Sequence, residues 1–224
     1  MVTTGVPVEH QALGEKCVTV SGLTWDAYQQ ILHALPNSRA VRLTYDQGTL
    51  EIVMPLEDHE FALRLIERFI VILVAAMGLK IKTMGSTTMD RPDLDRGSEP
   101  DCAYYIQNQA VVTGRKVDFS QDPPPDLVVE VDITNTDIAK DRLYASMGVP
   151  EFWRYNGQVW RIFQLQGEAY QECDGLCPAF GHRSPTFDWV NKEDLYHFLE
   201  QAQQDEIAAE QNFRALAQQK FKQS

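Results

Sequence analysis

The chain has few cysteines, no long apolar run and no surplus of basic charge, and each shortage closes off a class of protein. The four cysteines, Cys17, Cys102, Cys173 and Cys177, form no C-x-x-C pair and have no histidine at finger spacing. That argues against a zinc knuckle and for a reduced chain. The longest nearly pure apolar run, residues 69–77, is far below the roughly 20 residues of a membrane span and reads as a buried helix. The first residues lack the charged start and apolar stretch of a signal peptide, so no membrane association and a cytoplasmic location are expected. Acids outnumber lysine plus arginine by 32 to 20, a formal net charge of -12, which excludes a polyanion binder held by a broad basic footprint. Any nucleic-acid contact must be local. Arg91, Arg96, Arg115, Lys116, Arg142 and Arg154 are available for it, or are simply solvated.

What remains is ordinary globular material: 224 residues, 44% hydrophobic, enough for one core with a helical appendage. Thr24 is placed to cap a helix running through Leu35. Residues 41–45 and 50–53 are strand-like and flank a glycine-containing connection of hairpin length. Asp58 is a plausible N-cap for a helix to Met77, closed by Gly78, with Leu63, Ile66, Phe69 and Ile70 on its apolar stripe. Residues 79–84 read as a strand and 85–98 as a loop. Pro123, Pro124 and Pro125 then hold the chain extended before the next strand. Thr134 and Asp137 have capping-box spacing for a helix over residues 135–147, with Ala139, Leu143 and Met147 facing the core. Asn156-Gly157 marks a hairpin between residues 151–155 and 158–165, and residues 168–172 add a third strand. Residues 194–221 carry one long helical pattern, whose Leu195, Phe198, Leu199, Phe213 and Leu216 need cover that a homodimer would supply. The order of elements predicts the α/β or α+β class: a mixed β-sheet flanked by helices, with an N-terminal hairpin, over residues 1–190, and a helical extension over 191–224.

Two acidic strand motifs carry the chemistry. The first is Pro100-Asp101-Cys102-Ala103-Tyr104-Tyr105, and the second runs from Pro125 through Glu130 to Asp132. Successive residues of a strand point to opposite faces, so Val128, Glu130 and Asp132 share one face and Leu127, Val129 and Val131 the other. Carboxylates on a partly buried face must be protonated, paired with a base or bound to a cation. Mg²⁺ takes oxygen ligands and uses one or two carboxylates, which suits Asp101 on one strand and Glu130 on its neighbour. The other reading is a pair of strand-end acids salt-bridged to arginine or lysine. Lys140, ten residues after Glu130, can reach back from the start of the next helix to orient or deprotonate a water or to neutralise phosphate charge; otherwise it is a surface lysine paired with Asp137 or Asp141. His59 lies on the stripe of Leu63, Ile66 and Ile70, either as a hydrogen-bonded core histidine or as a group at the rim of the metal cleft. Glu60 and Glu67 share that helix, and Glu60 has the spacing of a solvated pair with Arg64. Tyr144, one turn beyond Lys140, is read as a packing residue that shapes the lysine's approach.

Pro100-Asp101, the run 125–131, Lys140, Tyr144 and Gly148-Val149-Pro150-Glu151-Phe152-Trp153, with Met54-Pro55 and His59 upstream, resemble the bacterial Uma-two family of restriction-endonuclease-like proteins, within the PD-(D/E)XK nuclease superfamily. The resemblance covers residues 41–190. It implies a restriction-endonuclease-like fold and Mg²⁺- or Mn²⁺-dependent hydrolysis of DNA phosphodiesters by water. Asp101, Glu130 and the carbonyl of Val131 would be the metal ligands. One position departs from the pattern: Asp132 stands where the superfamily lysine is expected, so the lysine role passes to Lys140 or is absent. In the second case the chain is an inactive nuclease-fold module that associates with other proteins.

Overall fold

The computed structural model describes residues 16–36, 40–85, 87–133, 136–173 and 184–223. Of residues 1–16, which read as loosely ordered in the sequence, only Lys16 is described and it opens a strand, while the expectations for Thr134 and Asn135 at a helix start and for Cys177 lie outside the described residues. Among the described residues two sheets are present. In sheet A the order is β1-β3-β2-β6-β5, from β1 (Lys16–Ser21), β2 (Arg42–Asp46), β3 (Thr49–Met54), β5 (Met89–Arg91) and β6 (Arg96–Ser98), all antiparallel. In sheet B the order is β11-β10-β9-β8-β7-β4, from β4 (Lys82–Thr83), β7 (Cys102–Tyr105), β8 (Leu127–Val131), β9 (Glu151–Tyr155), β10 (Trp160–Gln166) and β11 (Ala169–Glu172). Sheet B is the mixed sheet that the element order predicts, because β8 and β9 run parallel and are joined through helix α3 (Lys140–Ser146).

The N-terminal hairpin forms around Gln47 and Gly48, which both take positive φ (45° and 99°), the mirror-image turn that matches strand twist. Alternation then divides sheet A into two unlike faces. Leu43, Tyr45 and Leu50 point one way and pack on Tyr28 of α1 (Trp25–Ala34), whose ring stacks on Tyr45 at 4.9 Å. Thr24 caps α1 as expected, accepting from Ala27 N–H. Arg42, Thr44 and Glu51 point the other way. In register, Thr19, Glu51, Thr44 and Ser98 form a polar row across four strands, and this row faces sheet B.

Helix α2 (Glu57–Ala76) supplies the main core with Leu63, Ile66, Phe69 and Ile70, which pack on Leu127, Val129 and Val131 of β8. Each buried side chain of this size contributes about 1.5–3 kcal/mol. The opposite face of β8 directs Val128 at Leu143, Tyr144 and Phe152, and Glu130 shares that face. Both sides of β8 are therefore buried.

Several expectations are corrected. Asp58 does not cap α2: the helix starts at Glu57, and Glu57, Asp58 and Glu60 form an acidic first turn that the helix dipole favours. Only Lys82 and Thr83 of residues 79–84 pair in a sheet, and Leu79 is exposed. Residues 85–98 contain the β5–β6 hairpin, missed because its strands are three residues each around a 3-10 turn at Pro92–Leu94. Strand β1 was missed because it lies at the edge of sheet A with Val18 and Val20 exposed, so its apolar residues do not mark a buried face. Helix α3 begins at Lys140, and Ala139 is exposed. The C-terminal pattern is two helices, α4 (Lys192–Ala202) and α5 (Glu206–Phe221), because Asp205 caps a fresh start by accepting from Ile207 and Ala208 N–H. The break lets α5 fold back on α2, where Phe213 stacks on Phe69 at 4.4 Å beside Phe198. Leu195, Phe198, Leu199 and Phe213 are thus covered by the chain's own helices, with Leu216 half-buried against the same core, so the cover expected from a partner copy is supplied within the chain.

Candidate active site

Asp101 stands one residue before β7, opposite the end of β8, and three elements hold its carboxylate. Oδ2 accepts from Val131 N–H at 2.7 Å and lies 3.0 Å from His59 Nε2 on α2. Oδ1 is 3.1 Å from Arg42 Nη1 on β2. Glu130 faces the other way around the same space. Its Oε2 accepts from Lys140 Nζ at 2.8 Å, and its Oε1 accepts from the Tyr144 hydroxyl, which also meets Ser98 Oγ at 2.9 Å. Lys140 Nζ makes a second bond at 2.6 Å to Asp132 Oδ1, while Asp132 Oδ2 lies 2.8 Å from Arg154 Nε. Being the first residue of α3, Lys140 swings back over the strand end, so one ammonium spans two acids that the pleat puts on one face.

Arg42, Thr44, His59, Asp101, Glu130, Val131, Asp132 and Lys140 line a common cavity of about 20 Å³, room for about one water. Asp101, Glu130, Asp132 and Lys140 are all buried. Burial alone would raise the Asp101 carboxyl, but the His59 hydrogen bond and charge, with Arg42 and Lys140, outweigh it and hold Asp101 below the usual range. Burial drives Glu130 up to about 7 against the opposing pull of Lys140, with the charges of Asp101 and Asp132 adding to the rise. Burial opposes the charged form of Lys140, yet Asp132, Glu130 and Asp101 together raise it well above the ordinary lysine value. Lys140 is thereby held as an ammonium between the two acids.

Every predicted site residue, Asp101, Glu130, Val131, Lys140, His59, Asp132 and Tyr144, borders or supports this one cavity. Tyr144 does more than shape the lysine's approach, since it donates to Glu130. Glu60 pairs with Arg42 and Arg64, and Glu67 with Arg64 at 2.6 Å. Of the basic candidates, Arg91, Arg96 and Arg115 are held by Asp93, Asp46 and Asp122, whereas Arg154 joins the site through Asp132. Lys116 and Arg142 are exposed. Arg42, Thr44 and Ser98 were missed. The available signal was alternation: Arg42 and Thr44 interleave with the apolar Leu43 and Tyr45, so they had to face away from the core of α1.

A small hard cation matches the donors in kind, because four buried carboxylates, Glu99, Asp101, Glu130 and Asp132, border one water-sized space and Mg²⁺ asks for only one or two. Among the described residues no three His, Cys, Asp or Glu side chains group as a metal cage, so the remaining ligands would be water, backbone or substrate oxygens. The Lys140 ammonium now occupies the counter-charge position on Glu130, and an ion there would have to share or displace it.

The architecture, two sheets and helices around buried strand-end acids, is that of a nuclease-like α+β protein. It is similar to the crystal structure of a protein from Anabaena variabilis ATCC 29413 described as "a putative nuclease belonging to DUF820", with a TM-score of 0.50 and 16% identity over 79% of this chain and 99% of that one. The sequence profile of the Uma2 family, described as "Putative restriction endonuclease", matches residues 25–183, and the chain belongs to that family. No curated protein matches it. Among the described residues no helix is long and apolar enough to cross a membrane.

Proposed function

We propose that the protein is a Mg²⁺- or Mn²⁺-dependent endonuclease that hydrolyses DNA phosphodiester bonds. The observation that carries this reading is the meeting of Asp101, Glu130 and Lys140 at one buried, water-sized cavity. Asp101 and Glu130 would hold the ion with the carbonyl of Val131, and the ion would supply an activated water and charge for the phosphate. Asp101 is kept ionised by His59, Arg42 and Lys140. Lys140 stays protonated, so it serves as a cation for developing phosphate charge rather than as the base. Asp132 accepts from the same ammonium at 2.6 Å, which makes its presence at the usual lysine position compatible with a lysine arriving from α3. Tyr144 and Ser98 orient the Glu130 carboxylate.

One observation favours a second reading. Asp101, Glu130 and Asp132 already face Arg42, Lys140 and Arg154, so the cluster balances without an ion, as an inactive nuclease-fold module for protein association would. A nicking assay on supercoiled DNA with Mg²⁺ separates the two. The endonuclease reading expects wild type to nick and Glu130→Ala not to; equal cleavage by both, or none by either, rules it out.

A further inference from the structure

We propose that Arg42 is the residue that grips the substrate phosphate at this site, an inference that rests on the endonuclease reading and gives its substrate contact. Three features of the guanidinium lead there. It forms one hydrogen bond, from Nη2 to Glu60 Oε1 at 3.2 Å, although it carries five N–H donors. Its buried Nε and Nη1 have no hydrogen-bond partner, since Nη1 meets Asp101 Oδ1 at 3.1 Å only as an ion contact. Leaving such buried donors without an acceptor is costly unless a ligand takes them up. The acceptor must be anionic to compete with the flanking carboxylates, and planar forked donors match phosphate oxygens.

Position agrees. The Arg42 side chain is 16% exposed, against 4% for Asp101, 3% for Glu130 and 7% for Lys140, so it bridges solvent and the buried cavity. The cavity, about 20 Å³, takes one oxygen-sized atom, which suits a single phosphoryl oxygen reaching past the guanidinium towards Lys140. Glu60 occupies the outer side. It is 38% exposed and has Arg64 at 3.3 Å as a second partner, so it can yield Nη2 to an incoming phosphate.

The test uses full-length protein and a short DNA duplex of arbitrary sequence, with binding followed by fluorescence anisotropy across a salt series without divalent metal. Arg42→Gln is expected to bind about tenfold or more weakly and to lower the slope of log affinity against log salt by about 0.9, the signature of one lost phosphate contact. A purely structural arginine would leave that slope unchanged. Glu60→Gln removes the competitor and is expected to tighten binding about two- to fivefold. A folded Arg42→Gln protein with wild-type affinity and slope overturns the proposal. Should Arg42→Gln not fold, Arg42→Lys decides: it keeps the charge and loses the fork, so binding should hold while nicking falls about tenfold or more, and unchanged nicking overturns the assignment. Binding that depends on Arg42 without any nicking by wild type sinks the endonuclease reading and leaves this one standing. Nicking with a salt slope indifferent to Arg42 does the reverse.

Discussion

Glu130 and Glu151 are the same residue on adjacent parallel strands, equally buried, and their neighbourhoods could hardly differ more. Glu151 is held by three neutral donors: Trp153 Nε1 and Ser184 Oγ, each at 2.6 Å, and Thr186 N–H at 3.0 Å. Burial raises its pKa and those hydrogen bonds oppose the rise. Glu130 has an ammonium, a phenol and two further carboxylates around it. A carboxylate fastened by neutral donors works as a staple between β9 and the chain at 184–186. One balanced against other charges is poised to exchange its partners, which is what binding a cation or a phosphate demands.

The largest expected effect tests that division directly. Glu130→Gln should reduce nicking by on the order of 10²–10³, while Glu151→Gln should leave nicking by folded protein within about threefold of wild type. Comparable losses in both would erase the distinction. Next comes stability. Glu151→Ala strands three donors, at roughly 1–3 kcal/mol for an unsatisfied buried group, and should lower the melting temperature by several degrees at about 2–4 °C per kcal/mol for a chain of this size.

The third prediction concerns pH. Folded protein keeps the Glu130 proton up to about 7, whereas the unfolded chain releases it near about 4.3. Between those values the folded state binds more protons, so stability falls as pH rises. The lowered Asp101 acts in the opposite sense, but only as pH falls through the acid range below this window. The melting temperature of wild type should therefore drop more steeply from pH 5 to 7.5 than that of Glu130→Gln; parallel curves would contradict the elevated carboxyl. Smallest of all, millimolar Mg²⁺ should raise the melting temperature of wild type by about a degree or two, through mass action, and that of Asp101→Asn by less. An identical rise in both would detach Asp101 from the ion.

Much of this was legible in the sequence where a signal was local. Leu127 to Val131 read as a strand with Glu130 on the face of Val128, and Asn156-Gly157 marked its hairpin, because alternation and turn chemistry act over a few residues. The family motifs brought Asp101, Glu130 and Lys140 together. What stayed hidden was set by long-range pairing. Thr19, Glu51, Thr44 and Ser98 align only once β1, β3, β2 and β6 adopt their register, and no spacing along the chain encodes that row. Arg42 stayed hidden as a site residue for the same reason, since Asp101 is 59 positions away and meets it only across the two sheets. The break at Asp205 escaped because the apolar spacing of α4 and α5 continues through it, although Asp205 is itself a residue type that caps a helix start.

The relay from Ser98 on sheet A through the Tyr144 hydroxyl to Glu130 makes the acid sensitive to something remote from it. A serine on sheet A thus helps to aim a glutamate on sheet B, and one hydrogen-bonded line ties the two sheets together at the cavity.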